Sequence, residues 1–552
     1  MQKPTFNKIT KVWSGPKVPP IYNPDQNLGQ LILKVLEQTP ETVTQISADT
    51  KVSVTCGQMR ERTEKFAKYL NSLGLKQGDV VGIIAANTEN LAPAVFTCFL
   101  LGLPVNPLAP IMTQSDIVQM FRKTKPKLIL CDGNNLKIVQ NAVNMMKSDA
   151  KIITVMEDVE NYDSVTKILN RKAEKNFDYP EIDSNSTALI LCSSGSTGFP
   201  KGIPKTHKEI IIQFISASPY NLNKNILFQT SFIFWFSGIY FVIYGALYKC
   251  LRIITAQKLT PDVIIKIIHE YKVTHVFTGP YIYINLLQNK SLKPFESIKH
   301  WRLGGQNVPK ELCEKFQNFV PNGIISNVYG STECNFHTCD VYGEKFGSTG
   351  KVLENTEIKI IDENGNSLDS NQQGEICIKK CVPFLGYLDE PEQTKEAYDG
   401  EWFKTGDIGY FDDEGFFYII DRKKEILIYQ GFLTTPSELE TIINKIDGVM
   451  SSCVVGVHQE SIASDIIHAF VIVDESKNLT EFQIENFVNS KVIDEKKLRG
   501  GVHFIKDFPL TASGKVSRKE LKNLAKNSYT KNREIQKILE KLIANDITSR
   551  TV

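Results

Sequence analysis

The sequence predicts an α/β protein. A large N-terminal domain of layered α/β subdomains carries a small β-barrel-like subdomain, and a small, mobile α+β C-terminal domain follows. Three observations predict this. Short apolar strands alternate with segments of helical periodicity over the first 330 residues, the pattern of parallel sheets covered by helices. From Glu357 to Arg422 the texture changes to short strands and Gly/Asp/Asn turns, such as Asp362-Glu363-Asn364-Gly365 and Asp412-Asp413-Glu414-Gly415. The charged cluster Asp421-Arg422-Lys423-Lys424-Glu425 then introduces a smaller unit. At 552 residues the chain is too long for one core. The expected division is 1–420, a hinge at 421–424, and 425–552 with a helical tail.

Taken in order, the runs at 80–85, 127–131, 151–155 and 274–278 read as buried strands, and Pro261 to Tyr271 has apolar residues at helical spacing. Asn225 to Tyr248 carries no charge and meets the length of a membrane span. Its place inside the alternating region makes a strand followed by a buried helix the better reading. In the smaller unit a helix is expected from Pro436 onward, with strands near 453–455 and 469–471. Near the end, Ile535, Ile538, Leu539, Leu542 and Ile543 share one helical face, which predicts a terminal amphipathic helix that docks on its own domain or engages a partner.

Bulk properties narrow the function. Net charge is +2 with no long run of one sign, which argues against nucleic acid and polybasic membrane binding. Eleven cysteines, scattered singly through apolar segments, suit reduced thiols and not a disulfide framework. No apolar leader follows Met1, and the chain ends Thr551-Val552 without a Ser-Lys-Leu address. An intracellular, cytoplasmic protein is expected, a monomer or weak homodimer.

The densest chemistry lies directly behind the apolar run Ala188-Leu189-Ile190-Leu191. There Ser193, Ser194, Gly195, Ser196, Thr197, Gly198, Phe199, Pro200, Lys201 and Gly202 combine three glycines, four hydroxyls and a lysine. Glycines let successive N–H groups point into one concavity, hydroxyls donate to phosphate oxygens, and lysine adds a mobile charge. A polyphosphate is the ligand this suits. Lys201 is followed by Gly202, so the loop is not the P-loop pattern, which needs Ser or Thr there.

Four further motifs follow in order: Tyr329-Gly330-Ser331-Thr332-Glu333; Trp402-Phe403-Lys404-Thr405-Gly406-Asp407; Asp421-Arg422; and Leu510-Thr511-Ala512-Ser513-Gly514-Lys515. Together with the first loop they resemble the AMP-forming adenylating enzymes: acyl-CoA ligases, 4-coumarate–CoA ligase-like proteins and beetle luciferases. The resemblance runs from about residue 25 to 525.

It implies an ATP-dependent acid–CoA ligase using ATP, Mg²⁺ and coenzyme A, with an acyl-adenylate as intermediate. On that pattern the 193–202 loop holds the β- and γ-phosphates, Thr332 the α-phosphate and Glu333 Mg²⁺. Tyr329, Gly330 and Ser331 flank them. Asp407 and Arg422 bind ribose, and Gly304, Gly305 and Gln306 line the adenine and acyl pocket. Lys515 bridges the carboxylate and the phosphate in the transition state. The hinge ends at Lys424, and Gly431 and Phe432 lie on the face used for thioester formation.

Three departures stand out. Ile428-Tyr429-Gln430-Gly431-Phe432-Leu433 replaces a second face that in this branch usually carries two lysines and a glutamine. That change makes a nucleotide-binding pseudoenzyme without the CoA step one alternative, beside a luciferase-like monooxygenase. Trp235 and Phe236, with Gly238 two residues on, stand where a His approaches the acyl carboxylate, which predicts a hydrophobic acid. Lys380-Cys381 replaces Gly-Pro. Cys334, His337 and Cys339 supply only three metal donors and are expected to line or back the acyl pocket. His207 is expected to start a helix.

Overall fold

The computed structural model describes residues 3–171, 178–193, 201–215, 225–287, 289, 291–305, 310–430, 432–459, 462, 464–511 and 515–527. The chain forms two compact units, one of residues 1–405 and 409–419, the other of 406–408 and 420–552.

The first unit contains two largely parallel sheets. One runs in the order Lys201–Thr206, Thr187–Ser193, Val105–Pro107, Val81–Ile84, Leu128–Cys131, Lys151–Thr154, Asp163–Ser164. Val81–Ile84 and Leu128–Cys131 have no polar side chain and are wholly buried, as suits strands covered by helices on both faces. The helix Leu91–Leu101 is buried along its whole length and ends on Gly102 at φ 65°, a left-handed position that glycine takes without Cβ strain. Gln114–Thr124 begins with a reciprocal capping box between Thr113 and Asp116.

The second sheet runs Lys351–Val352, Asn335–Cys339, Ile324–Ser331, His300–Gly304, His275–Thr278, Ile226–Phe228, Leu251–Ile254, Val43–Ser47, Ser53–Thr55. Its covering helix spans Pro261–Tyr271 as the periodicity predicts, with Thr260 as N-cap, Pro261 in the first turn and Lys272 left-handed beyond the end. The uncharged stretch divides into the strand Ile226–Phe228 and the helix Phe236–Leu247. Twelve helical residues rise about 18 Å, short of the roughly 30 Å hydrocarbon layer. Among the described residues no helix is long and apolar enough to cross a membrane.

A buried polar network ties the two sheets. Arg252 donates to Gln229 at 2.7 Å and to Gln45; Gln229 donates to Asn87 at 3.2 Å, beyond the end of Val81–Ile84. Gly245 makes room for it, since a Cβ there would lie 2.5 Å from Arg252 Cδ.

The third sheet corrects the expected barrel-like subdomain. It runs Thr5–Asn7, Val12–Ser14, Thr356–Ile361, Gly374–Lys380, Trp402–Phe411, Tyr398–Asp399, with Phe417–Arg422 also on Trp402–Phe411. Its two edges do not pair, so the sheet is open. Two N-terminal strands join it that the sequence does not announce. Each has three residues, too few for a period to register, and Phe6 and Trp13 pack against Phe411.

In the second unit Val449–Gln459 pairs antiparallel with Ser464–Val473, and Val502–Phe504 joins the latter in parallel. Helices Pro436–Ile443 and Glu481–Asn489 bury Leu439, Ile443, Ile484 and Val488 with Val454, Ile467 and Val471. Leu521 and Ala525 pack with Cys453, Val455 and Phe470 in a second cluster. The expected helix at Ile535 to Ile543 lies outside the described residues.

Candidate active site

Strand Thr187–Ser193 turns back as Lys201–Thr206, with Cys192 opposite Gly202 and Ser193 opposite Lys201. The candidate phosphate loop is therefore bounded on both sides by paired strands. Ser194, Gly195, Ser196, Thr197 and Gly198 lie outside the described residues, as does the Ser193 side chain. At the root of the hairpin the Lys201 ammonium sits 4.2 Å from the centre of the Tyr387 ring, and Leu388 N–H donates to the Gly202 carbonyl at 2.8 Å.

Residues 332–334 turn between Ile324–Ser331 and the antiparallel strand Asn335–Cys339. A Cβ at Gly330 would fall 2.5 Å from the Asn335 carbonyl oxygen, so only glycine permits this tight return. Cys334 N–H donates to Ser331 Oγ at 3.2 Å, and Asn335 takes φ 63°. Thr332 is half-buried. Tyr387 OH donates to Glu333 Oε1 at 3.0 Å, and Lys205 Nζ donates to the Glu333 carbonyl at 2.6 Å. Lys205 also pairs with Glu209 Oε1 at 2.6 Å, both side chains wholly buried. Burial pushes the Glu209 carboxyl above its ordinary value, opposed by Lys205.

Strands His300–Gly304 and Ile324–Ser331 are parallel neighbours, so Gly304 and the Ser331 turn emerge at one carboxyl edge, where open α/β sheets place ligands. A Cβ at Gly304 would lie 2.9 Å from the Phe277 ring, and Gly305 adopts φ 87°. Gln306 lies outside the described residues. Trp235 and Phe236 open the helix after Ile226–Phe228, at the same edge. Gly238 is required there because a Cβ would sit 1.9 Å from the Phe232 carbonyl oxygen. The Phe236 ring meets Phe336 edge-on at 4.8 Å, and Tyr240 meets Phe336 at 5.3 Å.

Behind this aromatic wall His337 is fully buried, with Nε2 3.2 Å from Ser331 Oγ and its ring edge-on to Tyr329 at 5.1 Å. Burial holds its pKa well below the ordinary histidine value. Cys334 and Cys339 are buried, and burial pushes both thiols up, Cys334 to about 12. Among the described residues no group of three or more His, Cys, Asp or Glu is arranged to hold a metal ion. His207 begins the helix His207–Ile215 as expected, accepting at Nδ1 from Leu28 N–H at 3.3 Å.

The second unit carries the remaining candidates. Asp407, nearly buried, accepts from Arg422 Nε at 2.8 Å, and Gly406 beside it is left-handed at φ 70°. Asp421 accepts from Ser437 Oγ at 2.8 Å, and Lys424 is exposed. Lys515 is half-buried, and its carbonyl accepts from Thr511 N–H at 2.7 Å. Phe432 is exposed on the hairpin Leu427–Tyr429/Phe432–Thr434; Gly431 lies outside the described residues.

The motifs did not disclose Tyr387, Lys205, Glu209 and Lys380. For the two lysines a signal exists: Lys205 continues the buried face of Ile203, and Lys380 that of Ile376 and Ile378, at the strand period of two.

A mixed α/β unit in which Lys205, on the strand that follows the glycine- and hydroxyl-rich segment, bonds the Thr332-Glu333 turn has the frame of a nucleotide-binding enzyme. The chain belongs to the AMP-binding enzyme family: that family's model matches residues 33–388, and the family's C-terminal domain matches 438–515. It is 30% identical over 535 residues to "Probable 4-coumarate–CoA ligase 3" of Dictyostelium discoideum, covering 92% of this chain and 97% of that protein. It is 28% identical over 504 residues to luciferin 4-monooxygenase of Nipponoluciola cruciata, covering 88% and 92%. In fold it is similar to a benzoate CoA ligase from Burkholderia xenovorans LB400, with TM-score 0.79, 21% identity, and 90% and 99% of the two chains covered.

Proposed function

We propose that this protein activates a hydrophobic carboxylic acid with ATP, releasing pyrophosphate, and transfers the acyl group from the adenylate to coenzyme A. The observation that carries the reading is the linkage of Lys201, Tyr387 and Glu333 at the root of the candidate phosphate hairpin. A cation and a carboxylate are thereby held beside Thr332 on one scaffold. The reaction brings two anions together, so it depends on positioned charge more than on a nucleophilic side chain.

In this reading the 193–202 loop binds the β- and γ-phosphates, Thr332 contacts the α-phosphate, and Asp407 with Arg422 holds the ribose. Lys515 supplies the ammonium that neutralises the attacking carboxylate and the phosphate. The Glu333 carboxylate is a hard oxygen donor of the kind Mg²⁺ takes, and its orientation by Tyr387 fits that role. Bound Mg²⁺ would neutralise charge on the phosphates. The packed rings of Phe236, Tyr240 and Phe336, beside a buried His337, support an apolar acid.

The test is pyrophosphate release with a panel of fatty and aryl acids, followed by mass detection of acyl-AMP and acyl-CoA. Acid-dependent pyrophosphate release and acyl-CoA formation are expected. Tight ATP binding with no release on any acid would support the pseudoenzyme reading instead. Acyl-AMP that accumulates in the presence of CoA would remove the second step.

A further inference from the structure

We propose that Lys205, Glu209 and Lys380 are positioning residues of the adenylation site, holding the turn that carries Thr332 and Glu333 by its own backbone. The inference rests on the reading of that turn given above.

The turn is gripped from two sides by side chains that would not themselves touch substrate. From the phosphate hairpin, Lys205 Nζ reaches the Glu333 carbonyl at 2.6 Å while Glu209 Oε1 holds the same ammonium at 2.6 Å. From the strand Gly374–Lys380, Lys380 Nζ donates to the Phe336 carbonyl and to Thr356 Oγ1 at 2.6 Å. Between them, the Asn335 side-chain amide donates to Gln213, whose own amide donates to the Val382 carbonyl at 2.7 Å. The segment 333–336 is thus held at the Glu333 and Phe336 carbonyls and through the Asn335 side chain, and the Glu333 side chain separately by Tyr387.

Stability alone is a poor reason for this arrangement. A buried ion pair is often matched or bettered by apolar side chains of equal volume. What two ammonium groups and one carboxylate provide is directional donors to specific carbonyls and a net positive charge under the turn. Lysine's rotatable donors allow Lys205 to serve Glu209 and the Glu333 carbonyl at once. Outer partners that orient a metal-binding carboxylate commonly change metal affinity or activity by about 10- to 100-fold when removed.

The experiment compares Lys205→Met, Lys380→Met and the paired Lys205→Met/Glu209→Met with the wild type, all as full chains. Calorimetry gives the Mg²⁺ concentration for half-maximal binding of a non-hydrolysable ATP analogue, pyrophosphate release gives kcat and KM, and thermal melting reports the fold. The expected result is a roughly 10-fold rise in half-saturating Mg²⁺ and a fall in kcat of about 10- to 100-fold, with KM for the acid within about 2-fold. The paired variant removes both buried charges and so keeps the fold if Lys205→Met alone does not. A folded paired variant with wild-type Mg²⁺ dependence would overturn the proposal. A wild type that releases no pyrophosphate with any acid but binds the analogue with Mg²⁺ would sink the reaction reading alone, and the calorimetric comparison would still decide the role of Lys205.

Discussion

Replacing Tyr387 by Phe removes one oxygen atom, and the geometry fixes what that atom does. Its hydroxyl donates to Glu333 Oε1 at 3.0 Å, while the face of its ring carries the Lys201 ammonium at 4.2 Å. A hydrogen bond to a charged partner contributes about 1.5–3 kcal/mol net. Glu333 is only half-buried, so water recovers part of the loss, and the low end, about 1.5 kcal/mol, is the better value. That corresponds to a roughly 10-fold drop in kcat/KM for pyrophosphate release. The ring persists in Tyr387→Phe and is lost in Tyr387→Ala. The second variant should therefore lose a further cation–π share of about 0.5–2 kcal/mol, roughly 2- to 30-fold more. Steady-state pyrophosphate release at saturating ATP measures both. Equal rates for Tyr387→Phe and wild type, or identical losses for the two variants, would refute the assignment of separate work to hydroxyl and ring.

Two further outcomes follow from the site. Lys515→Ala is expected to cut pyrophosphate release by about 100-fold or more while calorimetric ATP binding stays within about 3-fold, because its ammonium is assigned to the transition state; matching rates would remove that assignment. Burial pushes Lys380 down to about 8 from the ordinary 10.5. Between those values the unfolded chain keeps a proton that the folded chain has released, so this group's contribution to stability rises as pH climbs from about 8 toward 10.5. Melting temperatures across pH 7–10 should show Lys380→Met gaining on the wild type most at the acid end. A pH-independent difference between them would contradict it.

How much of this was legible in the sequence depends on the range of the signal. Pro261–Tyr271 was readable because cap, first-turn proline and apolar period agree within one window. The parallel strands were readable because burial on both faces leaves uninterrupted apolar runs. Thr5–Asn7 and Val12–Ser14 are not, since Val12–Ser14 pairs with Thr356–Ile361 hundreds of residues later and Thr5–Asn7 joins the sheet only through Val12–Ser14. The third sheet is open and not barrel-like; turn-rich texture does not say whether edge strands meet. In the site, motif residues show through local chemistry, whereas Tyr387 and Lys380 matter through contacts with residues distant in sequence. Lys205 shares the buried face of Ile203, a period-two signal that no motif marks.

The hairpin Leu427–Tyr429/Phe432–Thr434 poses the question of the second half-reaction, and its scaffold narrows the answer. Its backbone is well tied: Ile428 N–H donates to Asp465 at 2.9 Å, Gln430 N–H to Ser464 at 2.9 Å, and Arg499 stacks on the Tyr429 ring at 4.1 Å. The platform is therefore intact, and only its outward chemistry is unusual. Ile428, opposite Leu433 in the register, is 45% exposed, and Phe432 is 49% exposed. If the apolar surface has weakened attraction for the phosphates of coenzyme A, Ile428→Lys should restore part of it without touching adenylation. An exposed charge pair contributes at most about 1 kcal/mol, so KM for CoA should fall by roughly 5-fold, and the gain should fade above about 0.5 M salt. Acyl-CoA formation at varied CoA and ionic strength measures it, with pyrophosphate release in the absence of CoA as the internal control. A gain that survives high salt, or one matched by faster adenylation, would show that charge at position 428 is not what this face lacks.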